Sequence, residues 1–458
     1  MRGIFSARHR ILTWRRLWLA LARAESELGL AISESQLGEL EATLETIDFE
    51  RAAAHERELR HDVMAHVHTW GEIAPEARGI LHLGATSCFV TDNGDLVILR
   101  DAVRAVRGLL VGVIRELRDF CLAWKDLPAL GRTHYQPAQA TTIGKRASLW
   151  LQDFVFNLED LDEVEEKIRF RGVKGTTGTQ ASFLELFEGD RDKVRELDRR
   201  VTRALGFEKT FRVTGQTYPR QLDFRVCQVL SAICQSAAKF ALDMRLASGE
   251  RELEEPFEKK QIGSSAMPWK RNPMRSERIG ALARHVIALL DDTAQTAANQ
   301  WLERTLDDSA NRRLSLPGMF LGTDAVLQLC LNVAGGLQVH EAVVRRRLMN
   351  ELPFLATEHV LMAAVKAGVD RQDGHERIRV LSRQASEAIH QGEPNPLVEL
   401  VQADPMFAPI ATELESILDP SNFVGLAPEQ VEDFVRLEVD PLLERHADVG
   451  RSEAEIRV

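Results

Sequence analysis

Cysteine is scarce and irregular. The five residues Cys88, Cys121, Cys227, Cys234 and Cys330 are odd in number and never spaced C-x-x-C. This excludes a disulfide framework or a zinc ribbon and leaves buried thiols in a reducing compartment. Long apolar runs are also missing: no uninterrupted stretch approaches the ~18 residues of a membrane span. The N-terminus MRGIFSARHRILTWRRLW carries charge through its apolar positions and has no signal-peptide core, so a cytoplasmic location and no membrane partner are expected. A basic excess is lacking as well. The chain has 58 Lys and Arg against 69 Asp and Glu, a formal net charge of −11, which disfavours nucleic acid as the main partner. An anionic ligand would have to be met by locally gathered Arg and Lys, because longer-range fields are screened beyond ~8 Å.

Apolar residues make up 44% of the 458-residue chain and charged residues 28%. That is the composition of an ordinary globular protein, with length for two to four packed units of roughly 100–200 residues each. Proline is sparse, at 16 residues, and apolar positions recur at steps of three and four. One stripe runs Val103, Val106, Leu110, Val113, Leu117, Phe120. Others run Leu151, Phe154, Leu158, Leu161, Val164, Ile168; then Val226, Leu230, Ile233, Ala237, Phe240, Met244; then Ile279, Leu282, Val286, Leu289. These predict long amphipathic helices that must bury their stripes on one another. The β-branched runs of a parallel sheet do not recur. The fold expected is mostly α, with a central long-helix bundle. Shorter helices are expected over 1–86, broken near Gly29, Pro75 and His82–Thr86, and again over 340–458, where Pro353, Pro396, Pro405, Pro409, Pro420 and Pro428 punctuate the chain. Three domains follow: 1–86, 87–339 and 340–458. No internal repeat or low-complexity segment is present.

Several motifs carry nothing. Gly144–Lys145–Arg146 lacks the rest of a phosphate-binding loop. Gly172, Gly175 and Gly178 recur every third residue, unlike the dinucleotide fingerprint, and Gly175–Gln180 reads as a turn between helices. His61, His66 and His68 do not share a helix face, and no H-E-x-x-H occurs, so no metal is expected.

The informative segment is Gln261-Ile-Gly-Ser-Ser-Ala-Met-Pro-Trp-Lys-Arg-Asn-Pro-Met-Arg-Ser-Glu277. Small residues open it, Pro268 and Pro273 forbid a regular helix, and Lys270, Arg271 and Asn272 lie between them. Mobile small residues followed by cationic and amide donors, over about 259–275, suit a loop that closes on an anionic substrate. On composition alone the chain would read as an acidic helical scaffold, which leaves the order of this segment unexplained.

This run resembles the G-S-S-x-M-P-x-K-x-N-P signature of the fumarase/aspartase superfamily. His82-Leu-Gly-Ala-Thr-Ser-Cys-Phe-Val-Thr-Asp-Asn93 and Gly131-Arg-Thr-His-Tyr-Gln-Pro-Ala-Gln139 resemble its other two blocks. Within it, Arg60-His-Asp-Val-Met-Ala-His-Val-His68, Arg169 to Gln180, Thr214-Gly-Gln-Thr-Tyr218, Glu303-Arg-Thr-Leu-Asp-Asp-Ser-Ala-Asn-Arg-Arg313, Leu352 to Glu358 and Arg371 to Arg377 are similar to the adenylosuccinate lyase family in its animal form. The resemblance implies a three-domain, mostly helical subunit and a homotetramer with active sites shared between subunits. It implies β-elimination of fumarate from adenylosuccinate, giving AMP, and from SAICAR, giving AICAR, in purine biosynthesis, with no cofactor. The runner-up is a sister lyase of argininosuccinate or fumarase type, or a catalytically impaired homologue.

The resemblance also assigns roles, and the chemistry is coherent with them. Elimination needs a base for a carbon-bound proton beside a carboxylate, an acid for the departing nitrogen and donors for the charge that builds on the carboxylate. His134 is the expected general acid. Ser264 is the expected base, its alkoxide stabilised by loop N–H groups and Lys270. Lys270 and Asn272 would hold the succinyl carboxylates, with Thr86, Ser87 and Thr133 donating hydrogen bonds. His61 would orient or polarise the substrate, with Arg60 beside it and Asp62 fixing its tautomer. Gln216 would contact the substrate. Arg278, Arg304, Ser309 and Arg313 would bind the nucleotide and its phosphate, and Glu277 would orient a ligand or histidine. Two departures stand out. The Arg-Tyr pair with which an N-terminal arm grips phosphate in such relatives has no counterpart here, with Arg2, Arg8 and Arg10 the nearest stand-ins. Trp269 also stands where Tyr is usual.

Overall fold

The computed structural model describes residues 1–450. The chain is mostly helical. In order, α1 is Ala7–Glu27, α2 Glu34–Thr43, α3 Phe49–Leu59, α4 Asp62–Ile73, α5 Ser87–Ala123, β1 Pro128–Thr133, β2 Gln136–Thr142, α6 Ile143–Glu166, α7 Ala181–Leu186, α8 Arg191–Ala204 and α9 Gln221–Gly249. Then come β3 Leu253–Glu254, α10 Met274–Ala298, α11 Ser309–Gly335, β4 Gln338–Val339 and α12 Glu341–Leu355. Shorter helices follow, including Thr357–Lys366, Arg371–His390 and Leu397–Ala403.

Two compact units result. One comprises residues 1–109, 157–235 and 281–327; the other comprises 110–156, 236–280 and 328–458. The divisions fall within α5, α6, α9, α10 and α11, so each of these helices gives a segment to each unit. The predicted stripes are the buried ones. Val103, Val106, Leu110, Val113 and Leu117 are fully buried on α5, and Val226, Leu230, Ile233, Ala237, Phe240 and Met244 on α9. On α10 the stripe is thinner: Ile279, Ala283 and Val286 are buried, while Leu282 and Leu289 are half-buried.

In the first unit α9 meets α11 through Arg312–Asp223 and Cys234–Thr323, and α10 meets α11 where Gly322 leaves room for Val286. Arg104 and Arg107 of α5 pair with Glu165 and Asp162 of α6. In the second unit Trp150 of α6 bonds Asp243 of α9 and stacks edge-on against Phe240, and Arg275 of α10 bonds Asn332 of α11. These are the contacts of a helix bundle. The C-terminal helices of the second unit bury their own cluster of Leu361, Ile378, Leu381, Phe407 and Ile410.

Among the described residues α11 alone is long and apolar enough to span a membrane by length and composition, but more than half of its apolar window is buried inside the protein. Its first turns carry Arg312 and Arg313, and Pro317 lies within it.

The β1–β2 hairpin was not predicted. Its strands pair antiparallel from Pro128↔Thr142 to Thr133↔Gln136, with a bulge between Leu130 and Arg132. Gly131 sits at that bulge, where a Cβ would fall 2.3 Å from the Gln139 carbonyl oxygen, so no side chain fits. The two residues closing the hairpin, His134 and Tyr135, have φ of 52° and 61°, the pattern of a type I′ turn.

Candidate active site

A cleft of about 610 Å³ opens in the first unit, lined by residues of α1, α3, α4, α5, the 216–220 segment and α11. It gathers most of the predicted residues of that unit: Arg60, His61, Asp62, Ser87, Gln216, Arg304, Ser309 and Arg313 all line it. Thr86 is attached through Gln216, whose side-chain amide donates to Thr86 Oγ1 at 3.0 Å.

His61 sits where α3 hands over to α4. Arg60 ends α3 in the left-handed region, and His61 is the N-cap of α4, its Nδ1 accepting from the Met64 backbone N–H at 3.3 Å. This satisfies one of the helix's unpaired donors. With Nδ1 accepting, the neutral ring carries its proton on Nε2, which faces Ser87 Oγ at 3.3 Å. The tautomer is therefore set by the Met64 amide and not by Asp62, whose carboxylate is 3.8 Å from Nδ1. Asp62 instead accepts from Val63 N–H at 2.8 Å and pairs with Arg313 at 3.1 Å.

Beneath the cleft lies a buried polar network that sequence reasoning did not assign. Asp308, with a fully buried side chain, accepts from Arg304 at 2.8 Å and from Arg220 at 2.6 Å. Arg220 also bonds Asp92 at 2.9 Å, and Asp92 accepts from Tyr218 N–H at 3.0 Å. Arg312 reaches Asp223 at 2.7 Å, Asp95 at 3.1 Å and the Tyr218 hydroxyl at 2.5 Å. Burial pushes the Asp92 carboxyl up, but Arg220 and Arg312 outweigh it and hold the group below its ordinary value. For Asp95 burial wins and the carboxyl is raised, despite Arg312. The signal was available: Tyr218, Asp308 and Arg312 stand inside the quoted segments. Sequence could not say which of Arg312 and Arg313 turns inward; Arg312 does, and Arg313 stays exposed.

Cys88, beside Ser87, is buried and 3.5 Å from the Gln216 carbonyl oxygen, and burial pushes its thiol up to about 12. It is a hydrogen-bonding core group and not a nucleophile. Arg10 lines the cleft and lies over the Trp14 ring, whereas Arg8 pairs with Glu45 at the surface. The other histidines of the 61–68 run do not converge: His66 packs edge-on against Trp14, and His68 lies beside His55. Among the described residues no group of three or more His, Cys, Asp or Glu could hold a metal ion.

The remaining predicted residues belong to the second unit, in two groups. Thr133 and His134 are exposed at the tip of the β1–β2 hairpin. The hairpin flanks a cavity of about 920 Å³ lined also by α6, α9 and α12. The second group is the loop before α10. Ser264 Oγ accepts from Met267 N–H at 3.2 Å, Lys270 N–H donates to the Met267 carbonyl at 3.0 Å, and the Asn272 side chain donates to the Gly263 carbonyl at 3.0 Å. Gly263 is required there, since a Cβ would lie 2.2 Å from the Lys270 carbonyl oxygen. Lys270 and Trp269 are exposed. Glu277 and Arg278 lie exposed in the first turns of α10, whose N-terminus is fixed by Glu255 accepting from the Arg275 and Ser276 amides at 3.1 and 2.6 Å.

Residues 22–288 match the family described as Lyase, and the chain superposes on the 3-carboxy-cis,cis-muconate lactonizing enzyme from Pseudomonas putida with a TM-score of 0.81, covering 98% of this chain and 97% of that one at 24% identity. The fold is that of the lyase superfamily. Residues 353–434 match the family described as Adenylosuccinate lyase C-terminus. Adenylosuccinate lyase of Saccharomyces cerevisiae is 54% identical, with 97% of this chain and 93% of the yeast protein aligned. That of Schizosaccharomyces pombe is 52% identical over the same shares. The chain belongs to the adenylosuccinate lyase family.

Proposed function

We propose that the protein catalyses β-elimination of fumarate from adenylosuccinate, releasing AMP, and from SAICAR, releasing AICAR. The observation that carries this reading is the 54% identity to a yeast adenylosuccinate lyase across 97% of the chain. Ser264 takes the carbon-bound proton beside the succinyl carboxylate, the carbon–nitrogen bond breaks, and His134 protonates the departing nitrogen. The Met267 amide already donates to Ser264 Oγ, the interaction an alkoxide there needs. Lys270 and Asn272 meet the carboxylates, with Thr86, Ser87 and Thr133. His61 acts as a donor from Nε2, since its Nδ1 accepts from the Met64 amide. Arg60 and Gln216 line the substrate, while Arg278, Arg304, Ser309 and Arg313 take the phosphate end and Glu277 orients its neighbours. Acid–base elimination of this kind uses no metal or organic cofactor.

The assembly proposed is a homotetramer of three-domain subunits with shared active sites, in the cytoplasm, with no nucleic acid or membrane partner. Paired exposed apolar side chains support self-association: Leu149 and Phe156 on α6, Leu242 and Leu246 on α9, Leu314 and Leu321 on α11 recur at one-turn or two-turn spacing.

His134→Ala and Ser264→Ala should each lower kcat by about 10²–10⁴, with the circular dichroism spectrum and gel-filtration volume unchanged. A variant with near-normal kcat would remove that residue from the chemistry.

A further inference from the structure

The turn carrying His134 is held in a conformation its own residues disfavour. Both central positions have positive φ, where Asn-Gly is the usual pair. Histidine visits this region with some frequency, but a bulky residue such as Tyr135 seldom does. Such turns persist only where their surroundings over-determine them. Core packing does not do so here, because Tyr135 is 51% exposed and His134 is exposed.

A single carboxylate grips the turn from both sides. The Tyr135 hydroxyl donates to Glu250 at 3.3 Å, and Arg132, two residues before His134, reaches the same carboxylate at 3.5 Å. The Arg132 guanidinium also lies over the Tyr135 ring, 5.7 Å from its centroid. Glu250, immediately after α9, is itself anchored. Arg347 of α12 pairs with its carboxylate and donates through Nε to its backbone carbonyl at 2.9 Å. A continuous path thus runs from α12 through Arg347 and Glu250 to Arg132 and Tyr135, which flank Thr133 and His134 in sequence.

We propose that Glu250 is a positioning residue for His134: by holding Tyr135 and Arg132 it keeps the turn in the left-handed region and fixes where the imidazole points. The inference rests on the reading of His134 as the general acid. It assigns Tyr135 a role through its hydroxyl and none in contact with the substrate.

The test is steady-state kinetics and thermal unfolding of the full-length chain and three variants, Tyr135→Phe, Glu250→Gln and the double variant. Tyr135→Phe removes one hydroxyl and no ring, so folding is preserved. It should lower kcat about 3–10-fold, the value of one hydrogen bond. Glu250→Gln should lower kcat about 10-fold or more, because the arginines also lose their partner. KM should stay within about two-fold in both single variants, and the unfolding midpoint within about 2 °C in Tyr135→Phe, whose ring is exposed; Glu250 is half-buried, so its variant is judged by kcat against KM. The double variant should be no slower than Glu250→Gln alone, since both act through one path. Normal kcat in either single variant, losses that multiply in the double variant, or a loss that tracks a rising KM and a falling midpoint would overturn the proposal. His134→Ala separates the two layers. If it retains turnover, the general-acid reading fails and the positioning role with it. If it is inactive while the Tyr135 and Glu250 variants are normal, only the positioning role fails.

Discussion

Glu25 is a carboxylic acid enclosed in α1 with no exposure, and neither of its oxygens has a hydrogen-bond partner among the described residues. Burial raises its pKa to about 9, so the folded protein holds it neutral at pH 7. An unfolded chain ionises it near pH 4.5. The folded value lies above the unfolded one, so its contribution is fully present below pH 4.5 and is lost as pH rises toward 9. Glu25→Gln mimics the neutral form and should stabilise the protein at pH 7–8 by on the order of 3–5 kcal/mol, with most of the gain gone at pH 4.5. Denaturant melts at the two pH values measure this; an equal effect at both would show that the carboxyl is not held neutral. His61 makes the opposite case, a side chain with two tasks. As N-cap of α4 it is replaceable by Asn, but in its proposed role as an Nε2 donor it is not. His61→Ala should cost about 1 kcal/mol of stability and His61→Asn only a few tenths, while both lower kcat. Thermal melts beside fumarate-release assays separate the two tasks.

At the scale of elements, α11 shows what holds the cleft in shape. Its N-terminal turns are tied down by Asp308 to Arg220 and Arg304, and by Arg312 to Asp223 and Asp95. Removing one partner of a buried pair strands the other. Asp308→Ala should therefore cost about 3–5 kcal/mol. Asp308→Asn, which keeps the shape, should cost less and raise KM more than it lowers kcat, because Arg304 loses its fixed head. An unchanged KM would show that Arg304 does not depend on Asp308. The long helices were legible in the sequence because their stripes obey one period over many turns, as Val226 to Met244 does. No stripe is read over α11, which runs on through Pro317. The β1–β2 hairpin was illegible for another reason. Pro128, Gly131 and Pro137 are poor strand formers, and the His134–Tyr135 turn lacks Asn-Gly chemistry, so its shape comes from tertiary contacts that no local pattern reports. The candidate site was legible as motif blocks, whereas in the Asp92–Arg220–Asp308 network Arg220 bonds residues 128 and 88 positions away.

For the whole molecule, a net charge of −11 contrasts with a cleft in which six arginines, Arg10, Arg60, Arg220, Arg304, Arg312 and Arg313, face five carboxylates, Glu56, Asp62, Asp92, Asp95 and Asp308. An acidic protein thus presents a locally balanced, arginine-rich pocket to an anionic substrate. Acid should weaken the fold. Burial lowers His66 and His82 to about 4 each, with Arg15 and Arg10 adding to the effect at His66. Their folded values lie below the unfolded ~6.5, so the stability they confer is present above pH 6.5 and is lost as pH falls toward 4. The unfolding midpoint should drop across that window, and His66→Leu should flatten the slope; an unaltered slope would show that His66 is not the group responsible.

Lyase activity is read most directly from fumarate release from adenylosuccinate by the purified 458-residue chain, followed at low and saturating substrate. Saturable turnover yielding AMP and fumarate in equal amounts is expected. Absence of fumarate at saturating adenylosuccinate, from protein with an intact helical spectrum, would contradict the lyase activity.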